Sequence, residues 1–165
     1  MSEASARFDL PFIIPGQAQK EMFHNEALAR IDAALHAVVE VPPLIQPPEV
    51  PEVGQSWILG SAPVGAWEGK ADQLATWTAG GWRFVAPVPG MAVWCKSECV
   101  TLQWSGTGWT LGAIACRRIE VGGQQVVGDR QPAVPSPSGG TIIDAEARSA
   151  IAAITAALMS HGLID

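Results

Sequence analysis

A long stretch without glycine or proline dominates the first quarter of the chain. After Pro15 and Gly16, neither residue occurs again until Pro42. Such a run predicts a helix that starts near Gln17 and continues to about Val41. Apolar residues recur along it at steps of four and three, which predicts one buried face. This predicted stripe consists of His24, Leu28, Ile31, Leu35 and Val38.

Charged residues occupy the rest of the predicted helix. Glu26 and Arg30 lie four positions apart, a spacing that predicts an ion pair along the helix. Before the helix, Phe8 to Ile14 form an apolar extended arm, and the small and polar residues 1–7 are predicted to be mobile until this arm docks. This arm either packs on its own domain or lies on a neighbouring molecule, and the sequence leaves both alternatives open.

The pattern changes twice after the helix. Residues 42–53 contain five prolines, which predicts an extended strut or surface strap. From Gly54 to Gly128, short alternating segments are separated by glycines, as in a small antiparallel sandwich or barrel. The chain is therefore predicted to be α+β, with an arm and helix over 1–41, a strut over 42–53 and a β module over 54–128.

Tryptophan is unusually frequent in the β module. The chain has seven Trp and no Tyr. An internal repeat places Trp77 and Trp82, and again Trp104 and Trp109, five positions apart around a glycine-bearing turn. Each unit predicts a tight hairpin with one Trp on either strand. A core role is favoured for each ring, with Trp82 and Trp109 as the alternative contacts for a sugar face.

A second helix is predicted at the C-terminus, over residues 141–165, after a Pro/Gly-rich linker over 129–140. Asp144 is its predicted N-cap and Gly162 its predicted stop. An apolar stripe at coiled-coil spacing follows one face and has no obvious partner within the chain. The stripe predicts a helix that meets copies of itself or another protein through Ile151, Ile154, Leu158 and His161.

The sequence argues against several classes of function. A formal net charge of -6 argues against direct nucleic-acid binding. The chain lacks a long apolar run, so neither membrane insertion nor export is predicted, and synthesis in the cytoplasm is expected. Three cysteines, Cys95, Cys99 and Cys116, are interpreted as free thiols rather than as a disulfide or metal site. Because no catalytic, nucleotide or metal motif occurs, we predict no enzyme, no cofactor and no metal.

A set of sequence blocks carries a resemblance. LPFI, PGQAQKE and HNEAL are followed in order by GAWEGKADQLATW and GGWRFVAPVPG, over about residues 8 to 94. Together they resemble an uncharacterised domain family of alphaproteobacterial phages and gene transfer agents, which are phage-like particles that package host DNA. The tail IIDAEARSAIAAITAALMSHGLI is similar to C-terminal segments of phage tail-fibre and head-spike proteins. The resemblance implies a virion structural component with no enzymatic motif.

The leading hypothesis is a homo-oligomeric adaptor at the base of a head spike or fibre. It would be made in the bacterial cytoplasm and would then lie on the outside of the particle, between a capsid or other virion protein and a distal spike or fibre protein. A pentamer is favoured at a capsid vertex, and three- or six-fold symmetry at a tail. The expected particle or subunit interface comprises Phe12, Ile13, Gln17, Gln19, Lys20, His24 and Asn25.

Two alternatives remain. The chain could be a carbohydrate-binding module that recognises host surface polysaccharide through exposed Trp82 or Trp109, or a chaperone for fibre assembly. A carbohydrate-binding module predicts that sugars quench the Trp fluorescence of the chain. An assembly chaperone predicts that the chain is absent from the mature particle.

Overall fold

The computed structural model describes residues 3–13, 20–142 and 144–165. Contacts divide the chain into two compact units, Met1–Ile114 and Ala115–Asp165. Both units combine a helix with short strands, so the predicted α+β class is confirmed. The predicted start of the first helix, at Gln17, lies outside the described residues.

The first unit opens with helix α1, Lys20–Ala34, which ends seven residues earlier than predicted. Residue His36 is left-handed, with φ of 44°, and Val38–Val39 form strand β1. The N-terminal segment causes this early end of α1. In a longer helix the last carbonyl oxygens would accept hydrogen bonds from backbone N–H groups, but here they accept from the guanidinium of Arg7. Its nitrogens donate to the carbonyl oxygens of Asp32, Ala33, Leu35 and His36, at 2.7, 3.1, 3.2 and 2.7 Å.

The described part of the N-terminal segment, residues 3–13, is docked on its own unit. It folds back on itself, since Ser5 N donates to Leu10 O at 3.0 Å and Phe12 N donates to Glu3 O at 2.8 Å. The carboxylate of Asp32 then accepts from Ser5 Oγ at 2.6 Å and from Phe8 N at 2.7 Å. Of the two alternatives for the arm, its described residues, 8–13, pack within their own unit, and residues 3–7 are docked together with them.

The predicted buried face of α1 is also wrong. Ile31 and Leu35 are 51% and 44% exposed, whereas Asp32 and Ala33 are 2% and 0% exposed. The helix turns a partly polar face inward because Asp32 and Asn25 have specific hydrogen-bond partners there. Apolar side chains on its outer face remain in solvent, and Phe23 is 73% exposed.

Two open sheets follow in the first unit. One contains β2 (Ser56–Ile58), β3 (Leu74–Thr78) and β4 (Gly81–Val85) in that order, with antiparallel pairing. The other has the order β1-β5-β6-β7, with β5 at Ala92–Cys95, β6 at Val100–Trp104 and β7 at Trp109–Leu111. Strand β1 pairs parallel to β5, and the remaining pairs are antiparallel. The predicted antiparallel module therefore consists of small open sheets instead of a closed barrel.

Both predicted Trp hairpins are present. Trp77 lies directly opposite Trp82 in β3–β4, and Trp104 opposite Trp109 in β6–β7. Their ring centroids are 4.9 and 5.5 Å apart, within the range of favourable aromatic pairs. Gly81, with φ of 96°, supplies the left-handed conformation at the β3–β4 turn.

The first unit has two hydrophobic clusters on either side of β2 and β3. Ile58 and Leu74 belong to one cluster, whereas their neighbours Trp57 and Ala75 belong to the other. Successive strand side chains point to opposite faces, so two short strands contribute to both cores. The Pro-rich segment is a strap on this layer, because Leu44 N donates to Ile58 O at 3.0 Å and Gly60 N donates to Leu44 O at 2.7 Å.

Trp67 is the largest fully buried side chain of the first unit and gives a stability prediction. It is 0% exposed and lies 6.3 Å from Trp57 and 5.2 Å from Trp82 between ring centroids. We expect Trp67→Ala to lower the free energy of unfolding by about 3–5 kcal/mol, because it leaves a large cavity. Urea denaturation measures the loss. Trp94→Ala is the matched control, since Trp94 is 45% exposed; equal losses for both variants would contradict this description of the core.

The second unit contains strands β8 (Ile119–Val121) and β9 (Gln124–Val127) and helix α2 (Ala145–Ser160). Asp144 caps α2 as predicted, since its Oδ1 accepts from Ala147 N at 2.8 Å, and Gly162 follows with φ of 68°. The linker residue Gln131 pairs with the C-terminal segment, where Gln131 N donates to Leu163 O at 2.9 Å. Helix α2 thus lies between the predicted cap and the predicted stop, and the residues that follow Gly162 make extended pairing.

Candidate functional site

A surface cleft lies between α1 and the edge strand β4 within the first unit. It encloses about 590 Å³ and opens to solvent. Three chain segments contribute to it: the middle and last turns of α1, the loop before β3, and β4 with the residue that follows it. Its walls are formed by Glu26, Arg30, Lys70, Gln73, Trp82, Arg83, Phe84 and Ala86.

An ion pair across the cleft fixes its charge distribution. Arg83 Nε donates to Glu26 Oε2 at 2.6 Å, and Arg83 NH1 donates to the carbonyl of Trp82 at 3.1 Å. The predicted Glu26–Arg30 pair along the helix does not form, because the Glu26 carboxylate is bound by Arg83 of β4 instead. Within the described ranges, Arg30 makes no ion pair.

A second cation sits on the aromatic wall. Lys70 Nζ lies 5.7 Å from the centroid of the Phe84 ring, a cation–π distance. Lys70 likewise has no carboxylate partner among the residues that the structure describes. The cleft therefore combines two uncompensated cations, Arg30 and Lys70, with half-buried aromatic side chains.

The two Trp residues predicted for sugar contact lie in different environments. Trp82 is half-buried in the cleft wall and packs edge-on against Trp57 and Trp67, with ring centroids 5.6 and 5.2 Å away. Trp109 packs against the other hydrophobic cluster, and its Nε1 donates to the carbonyl of Asp72 at 2.8 Å. Trp109 does not line the cleft.

The most exposed Trp was missed by sequence reasoning. Trp94 is 45% exposed on β5, where Val93 and Cys95 are buried. The signal was the alternation in Ala92–Cys95, which places Trp94 on the opposite face from Val93 and Cys95.

Of the predicted N-terminal interface residues, the structure brings Asn25 and Ile13 into contact. Asn25 binds the backbone of Ile13, with Oδ1 accepting from Ile13 N at 2.8 Å and Nδ2 donating to Ile13 O at 3.1 Å. Phe12 is half-buried, and Ile13 and His24 are exposed. Gln17 and Gln19 lie outside the described residues, as does the side chain of Lys20. The largest exposed apolar side chains of α1 are instead Met22 and Phe23, at 63% and 73%.

The predicted partner residues of α2 lie in solvent. Ile151 and Ile154 are 43% and 60% exposed, Leu158 is half-buried, and His161 is exposed. In the described part of the second unit, Ile164 is the one buried hydrophobic residue. The apolar face of α2 is thus available for contact along its length.

Cys95 is buried, Cys99 and Cys116 are exposed, and all three are free thiols. In residues 3–13, 20–142 and 144–165, no three His, Cys, Asp or Glu side chains come together as metal ligands. None of the described helices has both the length and the apolar character needed to span a bilayer.

Comparison with known proteins identifies the family. A search of curated proteins found no match to this chain. A family model described as "Protein of unknown function (DUF2793)" matches residues 24–110, which includes most of α1, both sheets of the first unit and every residue of the cleft wall. The match spans more than half of the 165 residues, and the chain therefore belongs to this uncharacterised family, DUF2793.

Proposed function

We propose that the chain is a non-enzymatic structural adaptor at the base of a head spike or fibre of a phage-like particle. In this proposal the first unit contacts a capsid or other virion protein, and α2 joins copies of the chain beneath a distal spike or fibre protein. The sequence resemblance to phage and gene transfer agent proteins supports the particle assignment.

The observation that carries the proposal is the exposed stripe of α2. The second unit has a two-stranded hairpin and one helix, and such a hairpin is marginal alone. Among the described residues of this unit, Ile164 is the one buried hydrophobic residue, so the unit has little core of its own. Covering Ile151, Ile154 and Leu158 would contribute about 1.5–3 kcal/mol for each fully buried side chain. Isoleucine and leucine at alternating steps of three and four favour a helix bundle between copies.

The outer face of α1 is the proposed contact with the particle. Phe23 and Ile31 lie within about 80° of each other around this helix and are 73% and 51% exposed. Phe23 and Ile31 replace the amide-rich start as the centre of the proposed interface, because Asn25 is engaged with Ile13. Closed five-fold symmetry would suit a capsid vertex, and three- or six-fold symmetry a tail.

The particle assignment is tested in cells that produce the particles. We expect a tagged chain to co-purify with mature particles and to be accessible to antibody on their outer surface. Deleting residues 141–165 should leave the first unit on the particle and release the distal protein. Absence of the chain from purified particles would contradict the proposal and favour an assembly chaperone.

A second candidate function is recognition of host polysaccharide. The observation that favours it is the cleft at β4, where Trp82 and Phe84 line an open groove with polar side chains around them. Open aromatic grooves suit the apolar face of a pyranose. Both functions can belong to one protein, since the cleft lies in the first unit and the exposed helical stripe in the second.

A further inference from the structure

The cleft at β4 has a local charge opposite to that of the chain. The formal net charge is -6, yet the cleft wall holds Arg30, Lys70 and Arg83 against the single carboxylate of Glu26. Arg83 neutralises Glu26 at 2.6 Å, and Arg30 and Lys70 have no ion-pair partner among the residues that the structure describes. Uncompensated charge in a groove indicates an anionic ligand.

The apolar part of the wall comes from one strand. Trp82 and Phe84 occupy alternate positions of β4, so they lie on the same face. Both side chains are half-buried, and Trp82 is held by ring contacts to Trp57, Trp67 and Trp77 at 5.6, 5.2 and 4.9 Å. These rings are fixed before any ligand arrives, which lowers the entropy cost of binding.

We propose that this cleft binds a carboxylate-bearing pyranose, such as a uronic acid residue within an acidic polysaccharide. The aromatic side chains contact the apolar C–H face of the ring. Arg30 and Lys70 bind the carboxylate, and the amide of Gln73 bonds hydroxyl groups. The inference rests on the second candidate function, polysaccharide recognition, and names its site and ligand class.

A short acidic sugar fits this charge pattern better than nucleic acid does. Nucleic-acid binding needs an extended basic surface that contacts many successive phosphates. Here two free cations are confined to one cleft on an acidic chain. One carboxylate on a ring with an apolar face matches two cations beside aromatic side chains.

The test compares an acidic oligosaccharide with the uncharged methyl ester of the same sugar. The intact chain is titrated with a tetrasaccharide of galacturonic acid and with its methyl ester, followed by calorimetry and Trp fluorescence. We expect the acid to bind at least about tenfold more tightly than the ester, since charge-assisted hydrogen bonds are about twice as strong as neutral ones. The difference should shrink when salt rises from about 10 mM to about 0.15 M, because the cleft is open.

Two variants locate the site. Arg30→Gln with Lys70→Gln should weaken acid binding about tenfold without unfolding the chain, because both cations are exposed and unpaired in the described residues. Arg117→Gln with Arg118→Gln is the charge-matched control in the second unit and should leave binding unchanged. Phe84→Leu should weaken the binding of both the acid and the ester, whereas Trp94→Ala on β5 should change neither affinity.

Each other outcome overturns the inference in an identifiable way. Equal affinity for acid and ester would refute the charge assignment and leave polysaccharide recognition standing. Loss of binding in Trp94→Ala but not in the cleft variants would move the sugar to β5. Equal competition by a mononucleotide would refute the sugar assignment. If neither ligand binds, the inference fails, and titration with a neutral oligosaccharide then decides separately whether the second candidate function survives.

Discussion

Replacing Ile151 and Ile154 with glutamate should reduce the chain to a monomer in solution. Both side chains are exposed on α2, at 43% and 60%, and face the proposed partner copies. Burying two carboxylates in an apolar helix bundle costs several kcal/mol for each charge. Each copy contributes both substitutions, so the effect multiplies with the number of subunits. Light scattering after size-exclusion chromatography measures the mass, for which the monomer value is 17.3 kDa.

A matched variant separates the stripe from the rest of the helix. Ala153→Glu and Ala156→Glu place the same charges on the opposite face of the same helix, where both side chains are exposed. This variant should keep the wild-type mass if the stripe is the contact. Equal dissociation of both double variants would indicate general charge repulsion and would contradict the assigned contact face.

Replacing Asp32 with alanine should destabilise the first unit by about 3 kcal/mol, since hydrogen bonds to a charged acceptor contribute about 1.5–3 kcal/mol each. The carboxylate is 2% exposed and accepts from Ser5 Oγ, Arg7 N and Phe8 N at 2.6, 3.1 and 2.7 Å. Burial lowers the pKa of the Arg7 guanidinium, and the charge of Asp32 opposes that shift. Without Asp32, Arg7 would remain cationic at neutral pH with less compensation.

Urea denaturation measures the loss, and hydrogen exchange at residues 3–13 locates it. Asp32→Asn should cost roughly half as much, because the amide keeps one acceptor oxygen but places an NH₂ group near the donors. Asp129→Ala is the control, since Asp129 is exposed. If Asp32→Ala left exchange at residues 3–13 unchanged, the proposed anchoring of the N-terminal segment would be wrong.

Local patterns predicted the parts of the fold that depend on neighbours in sequence. The Trp77–Trp82 and Trp104–Trp109 hairpins followed from glycine-bearing turns and repeated spacing, and the N-cap at Asp144 followed from residue type. In each case the interacting groups are only a few positions apart. Short-range geometry is encoded locally, so a single sequence is enough.

Long-range hydrogen bonds decided the features that were mispredicted. The apolar period of α1 indicated a buried Ile31 and Leu35, but Asp32 and Asn25 turn the helix by binding segments 12 to 27 positions away. Arg7 ends the same helix from 25 positions away. The spacing of apolar residues contains no information about such distant hydrogen-bond partners. A charged residue in an amphipathic pattern is normally assigned to the solvent-facing side of the helix.

The cleft could not be predicted from the sequence, because its residues are also far apart along the chain. Arg30, Lys70 and Trp82 come from a helix, a loop and a strand, and they meet because α1 packs across the edge of β4. The sequence predicted Trp82 as an alternative sugar contact but gave no indication of the cations beside it. The Glu26–Arg30 spacing concealed Arg30, because it suggested that this charge was already paired.

The central claim is that α2 joins copies of the chain. Sedimentation velocity of the wild-type protein, from micromolar to hundreds of micromolar concentration, tests it most directly. We predict a single closed oligomer whose mass is an integral multiple of 17.3 kDa and which persists at the lower concentrations. A 17.3 kDa monomer throughout that range would contradict the claim.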